Sequence, residues 1–306
     1  MPNFKNIFAF FCAGFAALAC ASCAQNSKPT LETAKISDAQ KTSYTLFEER
    51  LGKLVKETEI LAQEVAQKKT TPLEARLRLN ELADTWAEFA AEHPDSLETQ
   101  ILYGKFLRSA RYDEAAYKVF LRADKIDPNI AVIKQQLSTY ETEQKQFLKA
   151  YAHIKEAAKL EPQTAAYQAQ LGEFLAAYGG ELLKQNALSA AQKDAEMLDA
   201  FKAASQIEKG NPDFLARYAQ ACTEAVTPDL EKAEELWQKA EAAAPLGIEK
   251  DEMRLALARV QIMKSDFFKA RETLAKIRTP EFFRAKEKLE NKILEIEKLN
   301  SQSPKK

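Results

Sequence analysis

The chain has 306 residues, with 44 Lys and Arg against 45 Asp and Glu and a formal net charge of −1. That balance excludes the concentrated positive charge of a nucleic-acid binder, and a 46% hydrophobic content is enough to bury a substantial core. Glycine is scarce, strand-type runs of Val, Ile and Thr are missing, and Ala, Leu, Glu, Lys and Gln dominate, so the composition predicts an all-α protein.

The N-terminus reads as a targeting segment. Met1–Asn6 carries one positive charge, Lys5, and Ile7–Ala21 is an uncharged apolar run, IFAFFCAGFAALACA. This run is shorter than the ~20 residues that a helix needs to cross a bilayer. A charged start, a short apolar stretch and a small-residue exit predict a secretory signal peptide over residues 1–23. The exit has two readings. Ala16-Ala17-Leu18-Ala19-Cys20 resembles a bacterial lipobox, with Leu two rather than three positions before the cysteine, which implies lipidation of Cys20 and membrane anchoring. The alternative is plain cleavage after Ala21 or Ala24, giving a soluble secreted protein. Residues 24–43, rich in Ser, Thr, Lys and Gln, are expected to form a flexible tether. Cys12, Cys20 and Cys23 all fall in or beside the exported segment, so Cys222 alone lies in the body and no disulfide framework is available.

Two long helices are predicted next, over residues 44–93, as an N-terminal capping hairpin. The first carries Phe47, Leu51, Leu54, Val55, Leu61 and Val65 on one broad face. The second opens on Thr71-Pro72-Leu73-Glu74, a capping box with proline at the first helical position.

Residues 94–280 repeat. Pro94, Pro128 and Pro162 are 34 residues apart, and Pro212 and Pro245 follow. Twelve, eight and five positions before these prolines stand Leu82, Trp86 and Phe89; Ala116, Phe120 and Ala123; Ala150, Ile154 and Ala157; Ala200, Ala204 and Ile207; and Ala233, Trp237 and Ala240. Offsets of four and three put each trio on one helical stripe, and the proline ends the helix. The stripe reads as a packing ladder, so both tryptophans are expected in the core. Ten residues after a proline come Gly104, Ser138, Gly172 and Cys222, small residues that let the two helices of a hairpin approach closely. Cys222 is therefore read as a packing residue; a reactive thiol needs a cationic or helix-N-terminal setting, which the sequence does not signal.

This pattern resembles the tetratricopeptide repeat (TPR) family, whose 34-residue helix–turn–helix units carry small residues, an aromatic and a closing proline at these offsets. The match is best over residues 97–129, and the chain as a whole resembles an exported bacterial TPR lipoprotein. The resemblance implies a right-handed superhelical solenoid of five or six hairpins, in which the first helix of each lines a concave groove. It further implies a noncatalytic scaffold for a protein or peptide partner at the cell envelope, in the periplasm or at the outer membrane. Groove positions would be Ile101, Lys105 and Arg108, then Gln135, Thr139 and Thr142, then Ala169, Glu173 and Ala176. Lys105 and Arg108 are the peptide-contact candidates. The Lys/Asn/Arg clamp by which chaperone-binding members hold a C-terminal carboxylate is not reproduced.

The departures are local. From Pro162 to Pro212 is 50 residues, 16 more than one repeat, and the excess is placed near 181–199, after Gly179-Gly180. As helix it would project by ~24 Å or form a short extra helix. Ala270, Leu274 and Ile277 form a last ladder. Thr279-Pro280-Glu281 then predicts an N-cap, a first-position proline and an acidic first turn for a capping helix over 281–299, followed by a tail at 300–306.

Signatures of chemistry are missing. His93 reads as a helix C-terminal residue and His153 as a packed or part-exposed side chain; neither belongs to a metal motif. Gly179-Gly180 is followed by Glu-Leu-Leu-Lys, not by a phosphate-binding spacing, and Glu48-Glu49 and Glu234-Glu235 read as solvated surface. The expectation is therefore no enzyme, no cofactor, no metal and no nucleic acid. Two alternatives remain: a self-assembling envelope component that forms a homo-oligomer through the 181–199 insertion, and a cryptic envelope enzyme or glycan-binding protein.

Overall fold

The computed structural model describes the backbone of residues 38–302 and the side chains of residues 46–301. The signal segment, Cys12, Cys20, Cys23 and residues 24–37 of the tether lie outside the described residues. Within them the chain is all-α, with thirteen helices and no strand. They are α1 (Asp38–Ala66), α2 (Pro72–Glu92), α3 (Leu97–Ser109), α4 (Asp113–Ile126), α5 (Ala131–Glu143), α6 (Phe147–Leu160) and α7 (Ala165–Lys184). There follow α8 (Ala190–Ile207), α9 (Pro212–Glu224), α10 (Leu230–Ala243), α11 (Ile248–Met263), α12 (Phe267–Ala275) and α13 (Phe283–Gln302). Two ends differ from the sequence reading. Helix α1 begins at Asp38, inside the segment expected to be tether, and α13 runs past residue 299 to Gln302. Both stretches lack Gly and Pro, so nothing stops the helices sooner.

The local chemistry of the helix ends is repeated. Ser96, Asn211, Asp229 and Asp266 each accept a backbone N–H at the start of α3, α9, α10 and α12, and Ser189 forms a capping box with Gln192 on α8. Five turns carry a non-glycine residue at positive φ: Lys68, Arg111, Lys145, Asn186 and Ser265. After each, the next N–H closes back onto a carbonyl five residues earlier, as in Tyr112 to Leu107, Ala187 to Leu182 and Asp266 to Gln261 (2.9 Å each). This satisfies the last helical carbonyls and turns the chain into an antiparallel hairpin.

The chain divides into two compact units, ending at Tyr140 and beginning at Glu141. In the first, α1 packs on α2, α2 on α3 and α3 on α4. Its core contains Leu54, Leu61, Trp86, Phe89, Phe106, Phe120, Ile133 and Leu137. Each such side chain contributes about 1.5–3 kcal/mol by burial. Trp86 stacks on Tyr103 and Phe106 and donates its Nε1–H to Thr58 Oγ1 at 3.0 Å. The close approach of α3 to α4 depends on Gly104: a Cβ there would lie 2.8 Å from the Phe120 ring.

In the second unit each helix from α6 to α12 packs on the next, and α13 covers α11 and α12. Gly172 repeats the role of Gly104, since its Cβ would lie 2.7 Å from Phe201. The ladder of α8 is therefore Met197, Phe201 and Ala204, with the same four-and-three spacing as Ala116, Phe120 and Ala123. Ala200 and Ala204 of the expected trio are buried, but Ile207 is only half-buried. The physical reason lies in the proline. Pro94, Pro128 and Pro162 sit three residues before the next helix, whereas Pro212 is the first residue of α9, so counting from it shifts the frame by three. The same shift moves the small position on α9 from Cys222 to Ala219, which is fully buried.

The insertion is correspondingly smaller than 16 residues and forms no extra helix. Helix α7 has 20 residues against 13 in α3, and α8 has 18 against 14 in α4. The seven added to α7 lengthen it by about 10 Å. Seven residues are two turns, so the buried face recurs, and Gly179 repeats Gly172: a Cβ at Gly179 would lie 2.7 Å from Lys193 Cδ. Leu182 in this extension is fully buried. Asp194 on α8 accepts the Val226 N–H at 2.6 Å, bracing the α9–α10 loop, the one hairpin turn here without a positive-φ residue.

The C-terminal cap is held by Asp251. One of its carboxylate oxygens accepts the N–H groups of Arg278 and Thr279 at 2.8 Å and the Thr279 hydroxyl at 2.7 Å; the other pairs with Arg254 at 2.9 Å. Thr279 thus spends its hydroxyl on Asp251 rather than capping the 3₁₀ turn Pro280–Phe282. These donors hold the Asp251 carboxyl down at about 2 despite its burial.

Candidate partner-binding surface

The first helices of the hairpins carry a common register, counted from the small residue that faces the second helix: Gly104, Ser138, Gly172, Ala219 and Ala258. One position later stand Lys105, Thr139, Glu173, Gln220 and Arg259. These positions are half-buried from Lys105 to Gln220 and exposed at Arg259. Their neighbours on the same faces are small or neutral: Gln135 and Thr142 on α5, Ala169 and Ala176 on α7, Ala216 on α9.

The two sequence candidates differ in state. Arg108 binds Asp113 at 2.7 Å, across the α3–α4 turn. Lys105 is half-buried, and loss of water pushes its ammonium down to about 8. On α5, Thr139 donates to the Gln135 carbonyl at 2.9 Å, and Gln136 donates to Gln135 Oε1 at 2.6 Å. In the second unit, Glu173 is not free to meet a ligand: Arg217 donates to both of its carboxylate oxygens, reaches Gln220 Oε1 at 2.7 Å and lies over the Phe201 ring at 5.4 Å. Beside this pair is a dent of about 150 Å³ lined by Ala176, Met197, Phe201, Arg217, Gln220, Ala221 and Glu224. It is open and shallow, a surface depression rather than a chamber for a small molecule.

Cys222 and the two histidines are engaged in packing or hydrogen bonding. Cys222 is buried, and burial followed by the nearby Asp229 pushes its thiol up to about 11, so it carries no thiolate at neutral pH. His93 packs against Phe47 and Phe89, and His153 Nδ1 lies 2.7 Å from a Glu141 oxygen. Among the described residues no group of three His, Cys, Asp or Glu is placed to hold a metal ion, and no helix is long and apolar enough to cross a membrane. Glu235 is surface, as expected, but Glu234 is buried and binds Lys264 at 2.5 Å and Gln261 at 3.3 Å. Sequence reading missed this because the partners lie on the next hairpin. It also missed an aromatic column on α6 and α7, in which Phe147 stacks on Tyr178, Tyr178 meets Phe174 at a tilt and Phe174 stacks on Tyr151. Tyr151 donates to Glu196 at 2.5 Å and accepts from Lys155 at 2.9 Å.

A regular small-residue register, hairpins turned with one exception by the same motif and packing between sequence neighbours define the tetratricopeptide repeat fold. The structure resembles that of YrrB, described as a TPR protein with an unusual peptide-binding site, with a TM-score of 0.51 and 14% identity over 63% of this chain and 91% of YrrB. Weaker likenesses are to PilF of Pseudomonas aeruginosa, with a TM-score of 0.49 and 14% identity over 74% of this chain and 91% of PilF, and to PilW, described as a type IV pilus biogenesis factor, with a TM-score of 0.48 and 12% identity over 73% of this chain and 91% of PilW. No protein-family profile and no curated protein matches the sequence.

Proposed function

We propose that this protein is a noncatalytic scaffold that holds a protein partner along the first-helix faces of its hairpins, and that it does so at the cell envelope. One observation carries the reading: those faces present accessible side chains at a fixed register, small or neutral apart from Lys105, Glu173 and Arg259, on helices locked from behind by fully buried residues such as Phe120 and Phe201. Such a surface is pre-ordered, so a partner binds it without the cost of ordering these side chains. The TPR fold and the peptide-binding site described for YrrB support the same reading. The α7–α8 extension contributes less to self-assembly than its length suggests, because Leu182 and Asp194 are engaged within the second unit.

Envelope placement rests on Lys5, the apolar run 7–21 and the Leu18-Ala19-Cys20 exit. Labelled fatty acid is expected to enter the wild type and not Cys20→Ser; equal labelling rules out Cys20 as the anchor. For the scaffold itself, a photo-crosslinking residue at Ala176 or Thr139 in native cells is expected to trap a discrete protein, and one at Glu114 on the far side of α4 is not. Identical patterns from the two faces would overturn the reading.

A further inference from the structure

The register that repeats along the first helices is answered by an opposite charge at Glu173 in the second unit and by none at Lys105 in the first. Glu173, one position after Gly172, is answered by Arg217, two positions before Ala219 on the next first helix. The corresponding pair in the first unit is Lys105, one position after Gly104, and Gln136, two positions before Ser138. Where a guanidinium neutralises Glu173, the place that would answer Lys105 holds a neutral amide. Gln136 turns its own amide to Gln135, and the nearest cation on α3, Arg108, is bound to Asp113. Lys105 has no ion pair among the described residues. A half-buried charge without a partner is unfavourable, and burial lowers the Lys105 ammonium to about 8 with no other group contributing.

We infer that the α3–α5 face is a site for a carboxylate side chain of the protein partner, with Lys105 as the cation that receives it. The chemistry selects this ligand. One ammonium among neutral amides matches one negative charge; a phosphate, with close to two, calls for clustered arginines. A bound carboxylate would restore in the first unit the charge pairing that the second unit makes internally. The inference rests on the scaffold reading and adds the chemistry of the contact.

The test observes Lys105 directly, by NMR of the ε-methylene groups in the full mature chain labelled with ¹³C-lysine, with Lys105→Gln used to assign the signal. In the free protein the Lys105 signal should titrate near 8, apart from the other lysines. The probe is an acetylated, amidated octapeptide containing two glutamates. It should shift the Lys105 signal and raise its midpoint, whereas the glutamine version of the peptide, amidated or with a free C-terminus, should do neither. Against the partner trapped by crosslinking, Lys105→Gln should weaken binding about tenfold, while Lys105→Arg, which keeps the charge, stays within about threefold. Lys118→Gln, on the exposed Glu114 pair of α4, should have no effect. A Lys105 signal indifferent to the glutamate peptide, or moved as much by a glutamine peptide, overturns the inference. So does a partner that binds Lys105→Gln with full affinity, and that result leaves the scaffold reading standing. Failure to trap any partner from either face is instead the failure of the scaffold reading.

Discussion

The α3–α4 and α7–α8 hairpins begin from the same packing solution and then diverge. In both, a glycine on the first helix lets a phenylalanine ring from the second press against its backbone: Phe120 beneath Gly104 and Phe201 beneath Gly172. Helix α7 then adds seven residues. Because seven residues return a helix nearly to the same face, Gly179 meets α8 as Gly172 does, but it meets the aliphatic stem of Lys193 and not an aromatic ring. The hairpin was lengthened in a unit that keeps the interface in phase, and the added turns are closed by softer material.

The largest effect expected is from removing the rings. Phe120→Ala and Phe201→Ala should each cost about 3–5 kcal/mol, since both residues are fully buried aromatics. The two tryptophans allow each unit to be read separately in urea unfolding, with Trp86 in the first and Trp237 in the second. Equal costs support a common solution. A loss at Phe201 smaller by more than about 2 kcal/mol would mean that the longer hairpin no longer depends on it, and the parallel would break.

Next comes the glycine side of the same contact. Gly104→Ala and Gly172→Ala each place a methyl group under 3 Å from a buried ring that has little room to retreat. Overpacking of this kind costs about 1–3 kcal/mol, partly offset by the ~1 kcal/mol helix preference of alanine over glycine. A net loss of up to about 2 kcal/mol is expected at both positions, with partial recovery when Phe120 or Phe201 is also changed to Leu. A gain in stability at either would show that the ring is free to move and that the close approach is incidental.

Much of this was legible in the sequence, and the point at which legibility failed is specific. The three prolines at a spacing of 34 mark equivalent loops, so the register through Ala157 could be counted directly. Pro212 looks the same in the sequence but opens a helix instead of following one; proline suits both places, since its fixed φ and missing N–H are tolerated there. The resulting error of three residues was masked by alanine. Positions three and four apart share a helical face, so Ala200 and Ala204 are buried in either frame, and only Ile207, left half-buried, and Phe201, left out, separate the two. The repeated spacing of Met197, Phe201 and Ala204 was the available signal. The charge pairs were less accessible. Glu173 finds Arg217 44 residues away, and Glu234 finds Lys264 30 away. No local pattern specifies such partners, because they are set by how hairpins stack. Lys105 could be placed in its register from sequence, but its lack of a counter-charge could not.

The smallest effect is the most discriminating for the extension. At Gly179 an added Cβ meets Lys193 Cδ and Cγ at 2.7 and 2.8 Å, so something must shift. Here the neighbour is a four-carbon stem whose ammonium is held by Asp194 at 2.6 Å, and rotation about its torsions can release the clash without moving backbone. The alanine helix preference, up to ~1 kcal/mol, acts in the opposite direction. Gly179→Ala is therefore expected to change stability by no more than about 0.5 kcal/mol, and Gly179→Ala with Lys193→Ala to stabilise slightly, both read from the Trp237 transition. Were Gly179→Ala to cost as much as Gly172→Ala, the stem would be as fixed as the ring, and the added turns would be a rigid continuation of the core. A near-neutral result instead leaves Asp194, with its grip on the Val226 N–H, as the contact through which the extension braces its neighbour.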